Sequence, residues 1–195
     1  MPDSTGWKSS DFTNISKNFT NVRFVFENGV LTIGKRNVIL TSASDSKAYD
    51  GKPLTNDEVT VGGEGFAKGE GAAYDVTGSQ LNVGTSDNTF TYELNVNTKA
   101  DNYNIELVEG KLTVTADENE VVVTITENRG NKKYDGRAHS VSGYKVTDIS
   151  NKLYTANDFK FNGEATVKGT DAGTYDMDVK ADDFENVNNN FAKVT

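Results

Sequence analysis

The chain has 195 residues and no cysteine, which excludes disulfides, a thiolate metal site and a cysteine nucleophile. Its formal net charge of −9 argues against nucleic acid and against anionic membrane surfaces as partners. No apolar run approaches the length of a membrane-spanning helix or a signal-peptide core.

In chain order the sequence reads as β throughout, rich in Thr, Val, Asn, Asp and Gly. Met1 before Pro2-Asp3-Ser4 reads as a start codon placed ahead of an internal fragment, so the missing signal says nothing about the natural location. Arg23 to Ile33 carries a strand. Val38 to Thr41 is a second, and Glu58 to Val61 and Ala73 to Val76 are short strands bounded by Gly62-Gly63 and Gly78. Phe90, Tyr92 and Leu94 alternate with Thr91 and Glu93, the pattern of a half-buried strand with every second side chain in the core. Tyr103 to Leu107 and Lys111 to Val114 are split by Glu109-Gly110, which is expected to be a hairpin turn. Glu120 to Thr126 opens a further set, followed by Tyr144 to Val146, Phe159 to Phe161 and a strand through Tyr175, Met177 and Val179. No amphipathic stretch of about ten residues argues for a helix. Short strands with regular turn signals point to an all-β fold of tandem immunoglobulin-like sandwiches, with β-grasp-like repeats as the alternative.

The chain also repeats itself. Lys47-Ala48-Tyr49-Asp50-Gly51 returns as Lys132-Lys133-Tyr134-Asp135-Gly136, with Tyr49 and Tyr134 85 positions apart. Thr89 to Leu94 returns as Thr174 to Val179 at the same offset. Asp11-Phe12-Thr13-Asn14-Ile15 and Asn18-Phe19 match Asp183-Phe184-Glu185-Asn186-Val187 and Asn190-Phe191 at an offset of 172, about two periods. A period near 85 suits a string of small domains rather than a solenoid. The expected division is residues 1–33 as the C-terminal fragment of a preceding repeat, 34–115 as the first full repeat, and 116–195 as a second repeat of a different subtype. The second carries about fifteen extra residues around His139 to Leu153, and it stops before a counterpart of Gly110 to Val114. The short polar junction near Ala116 implies restricted movement between repeats.

These motifs together resemble the MBG/YDG-type repeats: Tyr-Asp-Gly twice, Gly173-Thr174-Tyr175, Asp101-Asn102-Tyr103, and Gly110-Lys111-Leu112-Thr113-Val114. Such repeats occur in tandem in large cell-surface, adhesin-like proteins of bacteria. The resemblance implies an extracellular surface location and a non-enzymatic, extended array. The first repeat departs from it by replacing Gly-Thr-Tyr with the longer Gly84 to Phe90.

The candidate positions are Tyr49, Asp50, Gly51, Tyr134, Asp135, Gly136, Phe90, Tyr92, Tyr175 and Tyr103, all read as structural. Asp-Gly suits a tight turn, because Gly accepts positive φ and Asp bonds nearby amides, and the preceding Tyr anchors its ring in the core. His139 is the only histidine and has no cysteine beside it, so zinc and a serine triad at Ser140 or Ser142 are not expected. Three acidic groupings, Asp182-Asp183 with Glu185, Asp117-Glu118 with Glu120, and Asp45 with Asp50, are the places where calcium would bind. None has the spacing of a dedicated loop, and no cofactor is expected. The glycine-rich stretch Gly62 to Gly71 lacks the P-loop Lys-Ser/Thr and reads as a long loop or hairpin. Lys47 and Lys133 precede each Tyr-Asp-Gly and are the lysines that a Lys–Asn cross-link would use. Trp7 and Tyr144 are the candidate carbohydrate platforms.

The leading functional reading is a stalk or spacer of an adhesin, partnered by neighbouring repeats. The alternative is a binding module for host glycan or protein that uses loops at one end. The ends suggest a further partner. The second repeat would expose an unpaired strand edge, and Arg23 to Ile33 of a neighbouring molecule would fill it by strand addition, giving head-to-tail association.

Overall fold

The fold was analysed in a computed structural model that describes residues 8–25 and 29–195. The chain divides into two compact units, Met1–Lys35 and Arg36–Thr195. The larger unit is all-β, interrupted only by single 3-10 turns, and is consistent with a β-sandwich.

Its first half contains eight strands: β1 (Arg36–Ser42), β2 (Asp45–Ala48), β3 (Val59–Gly63), β4 (Ala72–Val76), β5 (Gly84–Asn88), β6 (Phe90–Leu94), β7 (Tyr103–Val108) and β8 (Gly110–Thr115). They form sheets in the orders β3-β1-β7, β2-β8-β5 and β4-β6. β1 pairs antiparallel with β3 and parallel with β7, and β2 pairs parallel with β8. Alternation decides what goes inside. Val38, Leu40 and Ser42 of β1 are buried, and Val38 and Leu40 pack with Phe90 and Tyr103. Val59, Phe66, Tyr74, Val76, Tyr92 and Ile105 close that cluster. A second cluster, Leu54, Leu112 and Val114, lies under the β2-β8-β5 sheet and is bordered by Tyr49.

The expected hairpin at Glu109-Gly110 is corrected by the pairing. β7 bonds to β1, while β8 bonds to β2 and β5, so the chain crosses from one sheet to the next at this point. The β1–β2 segment makes the same crossing alongside it. The physical reason is a buried polar knot. The Ser42 hydroxyl donates to the Asn88 carbonyl at 2.6 Å and accepts the Gly110 N–H at 3.0 Å. The Asn88 amide donates to the carbonyls of Ala43 and Asn56 at 2.9 and 2.8 Å. These contacts satisfy backbone groups that the crossing removes from the ladders. Gly110 is required there, since a Cβ would strike the carbonyls of Ser42 and Ala43. The glycine-rich stretch is likewise no hairpin: β3 pairs with β1 and β4 with β6, and the stretch connects two sheets.

The second half contains β9 (Asp117–Val121), β10 (Val123–Glu127), β11 (His139–Ser142), β12 (Tyr144–Ile149), β13 (Phe159–Phe161), β14 (Thr166–Gly169), β15 (Phe184–Asn186) and β16 (Phe191–Val194). The pairs are β9 with β16 in parallel, and β10–β12, β11–β14 and β13–β15 antiparallel. Every ladder among the described residues stays within residues 36–115 or within 117–194. The extra residues around His139 to Leu153 supply β11 and β12. The single strand expected from Glu120 to Thr126 is divided at Val122. The strand expected through Tyr175, Met177 and Val179 is absent: residues 174–180 have no ladder, and Tyr175 is 46% exposed rather than in the core. Its ring instead covers Gly169. Val121, Tyr154 and Phe191 form the buried cluster of this half, joined by Val123, Ile149, Phe159 and Val194.

In the smaller unit the described residues hold one 3-10 turn, Ser9–Asp11, and no strand. The turn is closed by the Lys8 N–H, which donates to Asp11 Oδ2 at 2.7 Å. The Asn14 side chain donates to the Phe19 carbonyl at 2.8 Å, and the Phe12 and Phe24 rings lie 5.5 Å apart. The strand expected from Arg23 to Ile33 is not formed at its described positions, where Val25, Val30, Leu31 and Ile33 are exposed. Its central residues 26–28 lie outside the described residues.

Candidate functional site

Both Tyr-Asp-Gly motifs form the same turn. Asp50 Oδ1 accepts the Lys52 N–H at 2.9 Å, and Gly51 has φ +74. Asp135 Oδ1 accepts the Arg137 N–H at 3.0 Å, and Gly136 has φ +73. This is an Asx turn followed by the left-handed conformation that glycine adopts without cost. The Lys47 ammonium, 2.6 Å from Asp50, and the Lys52 N–H hold the Asp50 carboxyl below its usual range. The Arg137 N–H and His139 do the same for Asp135. His139 Nε2 lies 3.0 Å from Asp135 Oδ1, so the single imidazole belongs to the turn.

The two tyrosines part company. Tyr49 is half-buried and borders the Leu54–Leu112–Val114 cluster on one side and the Val121–Tyr154–Phe191 cluster on the other. Its ring meets Phe191 edge-to-face at 5.5 Å. The first Tyr-Asp-Gly turn therefore sits at the junction of the two repeats, where Leu153 also touches Gly51. Asn190 completes the junction. Its side chain accepts the Val83 N–H at 2.8 Å and donates to Asn82 at 3.1 Å, while its carbonyl accepts the Asp117 N–H at 2.9 Å. Tyr134, in the matching turn, is 69% exposed.

The remaining candidates lie elsewhere. Phe90 and Tyr92 are in the first cluster, with Phe90 only 6% exposed. Tyr103 packs there too. Its hydroxyl donates to Glu70 at 2.6 Å and accepts the Ala67 N–H at 3.0 Å, and the Glu70 bond pushes the phenol above its usual range. Tyr144 is not an exposed platform: it packs edge-to-face on Phe161 and Phe184 at 5.0 and 5.3 Å. Trp7 lies outside the described residues.

The acidic groupings spend their oxygens locally. Asp183 accepts the Lys180 N–H at 2.8 Å, Asp117 the Asn119 N–H at 3.0 Å, and Asp45 the Ser46 N–H at 2.7 Å. Among the described residues no group of three or more acidic or histidine side chains is arranged around a cation. The Lys47 ammonium donates to Asp50 and to the Lys52 carbonyl, not to an asparagine.

Sequence reading missed Asn190 and Phe191 as junction residues, although their echo in Asn18-Phe19 marked them. It also missed the buried pair Ser42 and Asn88, which alternation places but does not connect. Among the described residues no helix is long and apolar enough to cross a membrane. Residues 121–195 match the family model of the MBG domain. No curated protein and no solved structure matches the chain. The match agrees with the resemblance carried by Tyr134-Asp135-Gly136 and Gly173-Thr174-Tyr175, and makes residues 121–195 an MBG-type repeat, a kind typical of surface proteins.

Proposed function

We propose that this chain is a non-enzymatic repeat segment of a bacterial cell-surface protein, acting as an extended stalk of an adhesin. The observation that carries the reading is the junction. One residue, Ala116, separates β8 from β9, and Tyr49, Phe191 and Asn190 bond across it. A spacer needs such a joint, because a free hinge would let a distal binding domain collapse toward its anchor. The engagement of the single histidine in a turn supports the non-catalytic part of the reading. Small-angle scattering of the parent and of Tyr49→Ala tests it. A stalk keeps one narrow distance distribution in the parent and broadens in the variant; a compact parent distribution would sink the proposal.

A second reading, a module for host glycan or protein, is favoured by the exposed rings of Tyr134 and Tyr175 beside one cleft. A glycan array with the parent and Tyr134→Ala decides it, since binding that survives the substitution would not use this cleft.

A further inference from the structure

The two repeats differ along one edge. β1 is flanked by β3 and β7, whereas β10, its counterpart 85 positions on, pairs among the described residues with β12 alone. Val38 and Leu40 are fully buried, while the matching Val123 and Ile125 remain partly exposed. A groove of about 800 Å³ runs beside β10, lined by Val123, Ile125, Phe159, Phe184 and Val194. In the first repeat β8 lies between β2 and β5. The matching segments 130–133 and 169–173 have no strand between them, and a cleft of about 430 Å³ opens there. The seats of β7 and β8 are thus both open in the second repeat. The β16–β9 ladder leads into the groove: Val194 pairs with Val121, and the Val123 N–H donates to the Thr195 carbonyl at 2.7 Å.

The N-terminal unit holds a segment of matching design. Residues 8–19 repeat the bonding of residues 180–191. The Lys8 N–H bonds Asp11 as the Lys180 N–H bonds Asp183. The Asn14 side chain bonds the Phe19 carbonyl as Asn186 bonds that of Phe191. The Ser16 and Asn18 N–H groups find side-chain acceptors two residues back, as those of Asn188 and Asn190 do. After Val22, the sequence Arg23 to Ile33 follows the β7–β8 pattern at an offset of 81. Phe24 stands for Ile105, Gly29 for Gly110, Leu31 for Leu112 and Ile33 for Val114.

We propose that a second copy of the chain lays Arg23 to Ile33 along β10, parallel to it. Phe24 then stands opposite Val123, and Gly29 to Ile33 enter the cleft between 130–133 and 169–173. Main-chain bonds to the free edge supply affinity, and the apolar groove selects the side chains. A chain's own segment does not reach. Ile33 is tied to Arg36 by two residues, a span of about 10 Å. Arg36 begins β1, and β1 with β2 carries the chain roughly 40 Å by strand rise to Ala48 beside the junction. This inference is independent of the stalk reading, since a binding module would associate in the same way.

The test uses the full chain. Light scattering over a concentration series should show the mass rising from 21.2 kDa toward at least twofold. Gly29→Val should abolish the rise. A Cβ at Gly29 meets nothing within 4 Å in the free unit, whereas its counterpart Gly110 is seated against backbone carbonyls. The chain has no cysteine, so Val25→Cys and Thr124→Cys chains mixed under mild oxidation should form the mixed disulfide that this register predicts. A strictly monomeric parent would overturn the proposal. So would association that Gly29→Val leaves intact, or a disulfide that closes only within a doubly substituted chain.

Discussion

The ring of Tyr49, in the first Tyr-Asp-Gly turn, meets the ring of Phe191, in the last strand of the second repeat, at 5.5 Å and an interplanar angle of 79°. The positive edge of one aromatic ring against the face of the other is the favoured arrangement for such a pair. It makes Tyr49 a shared wall of two apolar clusters. A motif that looks like a local turn signature thereby acts between repeats.

Tyr49→Ala is expected to cost roughly 2 kcal/mol, below the 3–5 kcal/mol of a fully buried aromatic because Tyr49 is only half-buried. Tyr134→Ala at the matching, exposed position should stay within about 0.5 kcal/mol. Urea unfolding followed by tryptophan-independent probes, such as far-ultraviolet circular dichroism, measures both. Equal effects would show that the junction contributes nothing.

Phe90→Ala should cost about 3–5 kcal/mol, since the ring is enclosed by Val38, Leu40 and Tyr103. Tyr175→Ala, at the sequence-equivalent position, should cost about 1 kcal/mol or less because its ring is nearly half exposed. Chemical denaturation of the two variants checks the difference.

Ser42→Ala leaves the Gly110 N–H and the Asn88 carbonyl without the hydroxyl that serves both. Unsatisfied buried groups of this kind cost about 1–3 kcal/mol each, and the loss should appear as a lower urea midpoint at unchanged slope.

The acid limb of stability should depend on the two turn carboxylates. Asp50 and Asp135 are both held below the usual carboxylate range in the folded state. A depressed folded pKa contributes stability that is present above the unfolded pKa and is lost as pH falls through the folded one. Asp50→Asn and Asp135→Asn should therefore flatten the fall in melting temperature below the ordinary carboxylate range and leave the fall of the other turn in place. An unchanged acid limb in the double variant would contradict the assignment.

Melting with and without a chelator is expected to coincide. Asp45, Asp117 and Asp183 already accept backbone N–H groups, so their carboxylates have local work without a cation. A chelator-induced drop of many degrees would identify a calcium site.

Much of this protein is determined locally and is legible in the chain itself. Alternation placed Val38, Leu40, Phe90, Tyr92 and the strands that carry them, because a pleated strand sends every second side chain to one face. Asp-Gly set both turns, since an Asx bond and a positive φ need no distant partner. The 172-residue echo carried the same hydrogen bonds at both of its copies for the same reason. Tertiary structure decided what depends on a partner strand. Glu109-Gly110 has the composition of a hairpin, yet Ser42 and Asn88, 68 and 22 positions away, turn it into a crossing between sheets. Tyr175 has the pattern of a core strand, but with no strand seated beside residues 169–173 its ladder does not form and its ring stays in the open. Tyr49 and Tyr134 have the same local sequence and the same turn. Only the packing of Phe191 against the first makes one a joint and leaves the other exposed, because burial depends on what the fold brings near and not on the residue that receives it.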